Sequence, residues 1–348
     1  MAMTIVEAAR GVTGGVDTHL DVHVAAALDP LGALLGTEHF ATTPAGYRQL
    51  LSWLESFGEV TKVGVEGTGS YGAGLARFLH RRSIEVVEVD RPNRQSRRRT
   101  GKSDPLDATE AARAALSGRA SGQAKSRDGA VEAIRVVVVA KRSARQARSK
   151  ALTQMRHIGF TAPDQLRCRL HGLSVPKLVD EGVRLRAGRS LDPVTVATKA
   201  SLSSLAHRVR SLDDEIAQLD QKLAPLLAAT APDLLELFGV GPYTAATLLI
   251  AAGDNPDRLR SEASWAHLCG VAPISASSGK HTRHRLDRGG DRQANSALWH
   301  IVMVRMIHDP ETKAYVERRV TEGRTKREVV RILKRYVARE IYRNLPRG

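Results

Sequence analysis

Cysteine is nearly absent: Cys168 and Cys269 are the two in 348 residues, and they share no C-x-x-C spacing. That excludes a disulfide scaffold and a structural zinc site of the usual kind, so any metal has to be held by oxygen or imidazole ligands. Aromatic residues make up only 4%, and Met and Trp are too few for a cofactor box. No run approaches the roughly 18 to 20 uncharged apolar residues that a bilayer-crossing helix needs. The opening MAMTIVEAARG also lacks the basic-then-apolar order of an export signal. The expectation is a soluble cytoplasmic protein with no membrane partner. Acid is scarce too, since 37 Asp and Glu stand against 53 Lys and Arg, a formal charge of +16.

What is present is positive charge in clusters. Arg91, Arg94, Arg97, Arg98, Arg99 and Lys102 follow one another with no acid between them, as do Lys141, Arg142, Arg145, Arg148, Lys150 and Arg156. Further clusters run from Lys280 through Arg283, Arg285 and Arg288 to Arg292, and from Arg318 to Arg347. One such run alone reads equally well as a solvated face. Together they favour a polyanion, because each phosphate neutralised releases a counterion. With no wide apolar face beside any basic stretch, nucleic acid fits better than a membrane surface. The candidate contacts are Arg94, Arg97, Arg98, Arg99, Lys102, Lys141, Arg142, Arg145, Arg148, Lys280, Arg283, Arg285 and Arg288.

The first 120 or so residues alternate between strand and helix periods, which predicts an α/β domain over 1–125. Residues 14–28 read as one strand, with Asp17, His19, Asp21 and His23 on its polar face, and 31–40 as its hairpin partner. Thr43-Pro44 and Gly58 bracket a helix; a buried strand at 62–68, a helix at about 71–82, a strand at 84–90 and a helix from near Asp104 follow. A hairpin followed by strand–helix–strand–helix is the order of a ribonuclease-H-like sheet.

Residues 126–230 read as a helical linker and coiled coil, and 231–348 as a helical C-terminal domain. A long helix is predicted over 128–156, whereas 157–192 has no clear period. Leu202, Leu205, Val209, Leu212, Ile216, Leu219, Leu223 and Leu226 alternate spacings of three and four, a heptad seam. It is capped by Asp192-Pro193 and expected to end at Pro225. The seam predicts a homo-oligomer, dimer or tetramer; an intramolecular partner such as the 128–156 helix would give the same pattern. At 234–254, Gly239-Val240-Gly241 separates two apolar segments in the manner of a helix–hairpin–helix, although a tight turn without ligand would use the same glycines.

Metal-assisted phosphoryl transfer needs carboxylates converging from different elements, because Mg²⁺ takes oxygen ligands and keeps waters for substrate to displace. Asp17 on the first strand, Glu66 at the end of VGVEGT, and Asp104 and Asp107 at i, i+3 on a helix start supply four. Each alone has a structural explanation; the set in this order points to a Mg²⁺ or Mn²⁺ site. Arg99-Thr100-Gly101-Lys102-Ser103 ends like a P-loop, but Ser96 stands where glycine is required, so ATP binding is rejected. His19 and His23 share the polar face with Asp17 and could ligate a metal, but the expectation is that they are exposed strand residues.

GVDTHLDVHVAA, VGVEGTGSYGAGLARFL, VDRPNRQSRRRTGKSDPLDATEAARAAL, ELFGVGPYTAATLLIAAGD and SWAHLCGVAPISASSGKHTRHRLDRGGDRQANSALWHIV together resemble the DEDD-type transposases of the IS110 insertion-sequence family, akin to Piv invertases. The resemblance covers most of both ends; about 120–230 matches only as a helical spacer. It implies a RuvC-like domain whose tetrad is Asp17, Glu66, Asp104 and Asp107, and a C-terminal transposase domain with a nucleophilic serine. In VAPISASSGK that serine is Ser278, with Ser277 adjacent and Ser275 less well placed. It implies DNA strand cleavage and rejoining through a phosphoserine, on double-stranded target and donor DNA, guided by a noncoding bridge RNA. A resolvase-like nuclease using water and a non-enzymatic nucleic-acid scaffold are the rival readings.

Overall fold

A mixed sheet anchors the N-terminal part of the chain. Strands β1 (Gly11–Thr18), β2 (Val22–Leu28) and β3 (Leu34–Ala41) form an antiparallel meander. Helix α1 (Pro44–Glu55) leads to β4 (Glu59–Glu66), α2 (Ala73–His80) to β5 (Glu85–Val89), and α3 (Asp104–Leu116) to the short β6 (Gly122–Gln123). The order β3-β2-β1-β4-β5-β6, with β1, β4 and β5 parallel, fits a ribonuclease-H-like domain. The computed structural model describes residues 11–89, 103–186, 192–277 and 284–346, in two compact units. The first holds the chain up to Gly129 together with Ala252–Ser264, and the second holds Ala130–Ala251 with Trp265–Pro346.

The single strand expected over 14–28 is two strands. The chain turns at 19–21, so Thr18 pairs with His23 and Asp17 with Val24. Cross-strand partners share a face, which puts Asp17 and His23 on opposite faces of the sheet. The alternation looked continuous because the turn residues happen to repeat the polar–apolar pattern of the strands on either side.

The two faces are built differently. Val12, Val16, Ala25, Ala27, Val63 and Val65 pack beneath Leu50, Leu51 and Leu54 of α1 and Leu75 and Leu79 of α2. On the other face Gly15 and Gly64 lie directly under α3, whose Ala108, Ala111, Ala112 and Ala115 are buried. A β-carbon on Gly15 would stand 2.2 Å from both Ala108 O and Ala112 N, and one on Gly64 2.6 Å from Ala111 O. Glycine opposite alanine thus seats the α3 backbone against the strands.

The second unit is mostly helical: α4 (Ala130–Phe160), α5 (Asp164–Leu170), α6 (Val175–Arg184), α7 (Pro193–Thr230), α8 (Pro232–Glu236), α9 (Pro242–Ala252), α10 (Glu262–Leu268), the two-residue strands β7 (Ile274–Ser275) and β8 (His284–Arg285), then α11 (Arg292–His308), α12 (Pro310–Thr321) and α13 (Lys326–Arg343). The Asp192 carboxylate caps α7 by accepting from Val194 N at 3.2 Å and Thr195 N at 2.9 Å. Pro225 does not end the helix. A proline removes one backbone donor, and the buried Leu223 and Leu227 on either side hold the helix through to Thr230.

Part of the heptad seam packs inside the chain, while Leu212, Ile216 and Leu219 are only half-buried there. Leu202, Ala206 and Val209 of α7 are buried with Ala151 and Met155 of α4 and with Leu166, Leu170, Leu178 and Val179 of α5 and α6. Lys141 pairs with Asp220 and Arg148 with Asp213. Seven residues forward along α4 therefore meet seven residues back along α7, so the two run antiparallel. The 157–192 stretch without a clear period supplies α5 and α6, too short to display one. In the glycine turn, Gly239 has φ +81°, but the arm before it, α8, is only five residues long.

Candidate active site

The end of β1 carries Asp17, buried at 7% exposure. The parallel register sets Gly15 against Gly64 and Val16 against Val65, so Asp17 comes level with Glu66 at the end of β4. Thr18 Oγ1 donates to Glu66 O at 2.8 Å and ties the two strand ends together. Asp104 opens α3, and Asp107 follows within its first turn, 2% exposed. Carboxylates at a helix N-terminus are stabilised by the unpaired N–H groups there, and the glycine face of the sheet lets that terminus approach β1.

His19, in the turn after β1, joins this group. Its Nε2 lies 3.2 Å from Asp17 Oδ2 and 3.5 Å from Asp104 Oδ2. Donor atoms from Asp17, His19 and Asp104 all fall within 4.8 Å of one another, the group of this kind among the described residues. Glu66 and Asp107 are not members of that trio. Burial pushes the Asp17 carboxyl above its ordinary value; His19 opposes the shift, and the charges of Asp107 and Asp104 add to it. A buried carboxylate with two acidic neighbours is a site that gains from a bound cation, and an imidazole with oxygen donors suits a divalent one.

The alternation of 14–28 predicts a solvated strand position for His19; the structure puts it in a turn, with the side chain 45% exposed and Nε2 shielded beside Asp17. Nothing in its spacing shows the turn that brings it back toward Asp17, because His19-Leu20-Asp21 continues the alternation of the strands on either side. His23, also expected to be exposed, is wholly buried on the opposite face. It is stacked on Tyr47 with ring centroids 5.8 Å apart and planes within 8°, and burial lowers its pKa to about 4.

The candidate nucleic-acid contacts divide. Lys141 is 6% exposed and paired with Asp220, so it is a structural cation between α4 and α7 and not a phosphate contact. Arg148 pairs with Asp213, Arg142 Nε donates to Tyr243 Oη at 3.4 Å, and the Arg145 guanidinium lies 5.2 Å from the Tyr243 ring centre. An acid-free run of sequence is here supplied with acids by another helix. Arg285 and Arg288 are exposed. Arg288 and Arg292 line a cleft of about 670 Å³ with Lys326, Arg327, Arg331 and the half-exposed Trp299. Of these, the residues of α13 fall in the C-terminal basic cluster, but their meeting with Trp299 has no sequence signal. Ser277 is exposed beside β7, with Ser275 Oγ 3.4 Å away. Ser278, Lys280, Arg283, Arg94, Arg97, Arg98, Arg99 and Lys102 lie outside the described residues.

Residues 14–158, which include Asp17, Glu66, Asp104 and Asp107, match a transposase family of the DEDD, IS110 type, and residues 231–317 match the transposase IS116/IS110/IS902 family. An uncharacterized 43.6 kDa protein of insertion element IS110 from Streptomyces coelicolor is 33% identical over 138 residues, covering 39% of this chain and 32% of the relative. An uncharacterized 42 kDa protein of insertion element IS900 from Mycobacterium paratuberculosis is 27% identical over 152 residues, 43% of this chain and 38% of the relative. The matched regions thus span about a third of these relatives' lengths. No helix among the described residues is long and apolar enough to cross a membrane. With both ends of the chain matching the same group in order, around an acidic centre at the strand ends of a ribonuclease-H-like sheet, the chain belongs to the IS110 family of insertion-sequence transposases.

Proposed function

We propose that this chain excises and integrates an insertion sequence by breaking and rejoining DNA, with the acidic centre of the first unit serving the chemistry. The observation that carries the reading is the convergence of Asp17, His19 and Asp104 donor atoms beside Asp107 at the end of β1. Asp17, Glu66, Asp104 and Asp107 would hold Mg²⁺ or Mn²⁺. Such an ion, when bound, neutralises charge developing on a phosphodiester and lowers the barrier to its displacement.

The chain's own nucleophile is Ser278 in this proposal, on the P-x(4)-S-G pattern beginning at Pro273. Its Oγ–P bond forms as the P–O bond to the leaving strand breaks; the hydroxyl proton leaves Oγ, and the departing strand oxygen is protonated. The resulting phosphoserine keeps the bond energy for rejoining. Arg285 and Arg288, exposed beyond the same segment, would hold the backbone phosphates. A formal charge of +16 supports a large nucleic-acid partner, and the absence of a recognisable base-reading motif in the sequence supports delegating target choice to a bridge RNA paired with target and donor DNA.

The test is replacement of Asp17, Glu66, Asp104 and Asp107 singly by Asn or Gln. Each variant should lose recombination and keep DNA binding, and wild-type activity should vanish in excess chelator. Near-normal recombination in most of the four, or full activity in chelator, would overturn the assignment.

A further inference from the structure

His19 stands where a ligand would stand. Its Nε2 is turned inward and shielded from solvent, although the side chain as a whole is 45% exposed. The turn that presents it is held at its backbone: Thr42 Oγ1 donates to His19 O at 3.3 Å and Thr42 N to Asp21 O at 2.9 Å. The ring is thus set on a braced turn. In an octahedral site with bonds of about 2.1 Å, adjacent donors are about 3 Å apart. The spacings of 3.2 and 3.5 Å from Nε2 to the Asp17 and Asp104 oxygens match neighbouring corners of such a shell.

A histidine between two carboxylates has two uses. As an imidazolium it would be a counter-ion that competes with a metal; as a neutral imidazole it would be a ligand. Acids, one of them the buried Asp17, already serve the centre, and a divalent ion takes a histidine in its neutral imidazole form. We infer that His19 is a further protein ligand through Nε2, beside the carboxylates, giving the centre an imidazole-plus-carboxylate donor set that favours Mn²⁺ over Mg²⁺. This rests on the metal-centre reading of Asp17 and Asp104. Imidazole binds first-row transition ions readily, whereas Mg²⁺ is served by oxygen, so removing the ring should weaken the two ions unequally.

The experiment uses the full chain with each metal alone. Mn²⁺ and Mg²⁺ affinities are measured by calorimetry for wild type, His19→Ala, His19→Gln and Asp17→Asn, and Mn²⁺-loaded wild type is examined by pulsed electron paramagnetic resonance for nitrogen coupling. Wild type should show directly coordinated nitrogen, and His19→Ala should lose it along with about tenfold or more of its Mn²⁺ affinity, while Mg²⁺ affinity changes far less. Mn²⁺ bound by wild type without nitrogen coupling, and abolished by Asp17→Asn, overturns the role of His19 and leaves the metal centre standing. Tighter Mg²⁺ and Mn²⁺ binding in His19→Ala makes His19 a competing counter-ion, with the same consequence. If wild type binds neither ion, the metal-centre reading itself falls. The spectrum of wild type alone decides the inference even if a His19 variant fails to fold.

Discussion

Gly15→Ala adds one methyl group far from any solvent, and its effect follows from two distances. The new carbon would stand 2.2 Å from Ala108 O and 2.2 Å from Ala112 N, where ordinary contact begins at 3.4 Å. Both are backbone atoms, so no side chain can swing aside, and α3 has to retreat by about 1 Å, a shift on the scale that costs about 10²-fold in a catalytic site. Asp104 and Asp107 begin that helix and would move with it, away from Asp17 and from the 3.5 Å approach to His19. Overpacking of this kind costs about 1–3 kcal/mol. Gly15→Ala should therefore lower the melting temperature modestly and reduce divalent-ion affinity and strand cleavage severely. Gly36→Ala is the control, because its new carbon meets Trp53 and Phe57 at 3.4 Å, an ordinary van der Waals distance on strand β3. A folded Gly15→Ala protein with wild-type metal affinity would refute the claim that the glycine face positions the acids.

Leu202→Ala, at a position with no exposure in the α4–α7 packing, should cost about 2–5 kcal/mol of stability in chemical denaturation; a drop of less than about 1 kcal/mol, below the range for a buried leucine, would show that the seam is not packed within the chain. His23 should make stability pH-dependent. Its folded pKa is about 4 against an ordinary 6.5, so the stability of the neutral buried ring is complete above pH 6.5 and is lost as pH falls toward 4, up to about 3 kcal/mol. His23→Phe, which keeps a ring on Tyr47, should flatten melting temperature across that window, and an unchanged slope would refute the assignment. Arg288→Glu with Arg331→Glu should reduce the salt dependence of DNA or RNA binding by up to about 0.9 for each duplex phosphate no longer neutralised, while Lys141→Met leaves it alone. The reverse pattern would return the 141–148 run to the nucleic-acid surface.

The sheet was legible because its strands carry period-two patterns, and helix starts in both units carry caps, as at Thr43-Pro44 and Asp192-Pro193. The turn at 19–21 was not, since Asp17, His19, Asp21 and His23 continue one alternation through two strands and a reversal. Asp17 and Asp104 could be picked out together, because carboxylates at strand and helix ends need only element order to be placed. His19 could not, because its approach to Asp104 spans 85 positions and depends on α3 lying close to the sheet. The glycines that permit this look like ordinary strand weak points until α3 is laid across them. Charge runs misled for a related reason: the sequence displays the cations of 141–148 but not Asp213 and Asp220, brought opposite by an antiparallel helix. The heptad seam likewise reports that α7 has a partner without saying which chain provides it.

A metal centre built on Asp17 and Asp104 that serves a protein nucleophile acting on DNA must leave a covalent trace when rejoining is blocked. That trace is sought by mass-spectrometric mapping of protein trapped on a suicide DNA substrate, one that lets a cleaved strand diffuse away, in the presence of Mg²⁺ or Mn²⁺ and of the proposed bridge RNA. A covalent phosphoserine is expected at Ser278, lost in Ser278→Ala and absent from Asp17→Asn and Asp104→Asn proteins that still bind the DNA. Strand cleavage that continues when Ser277 and Ser278 are both alanine, leaving free hydroxyl and phosphate ends and no adduct, would contradict this mechanism and make water the nucleophile.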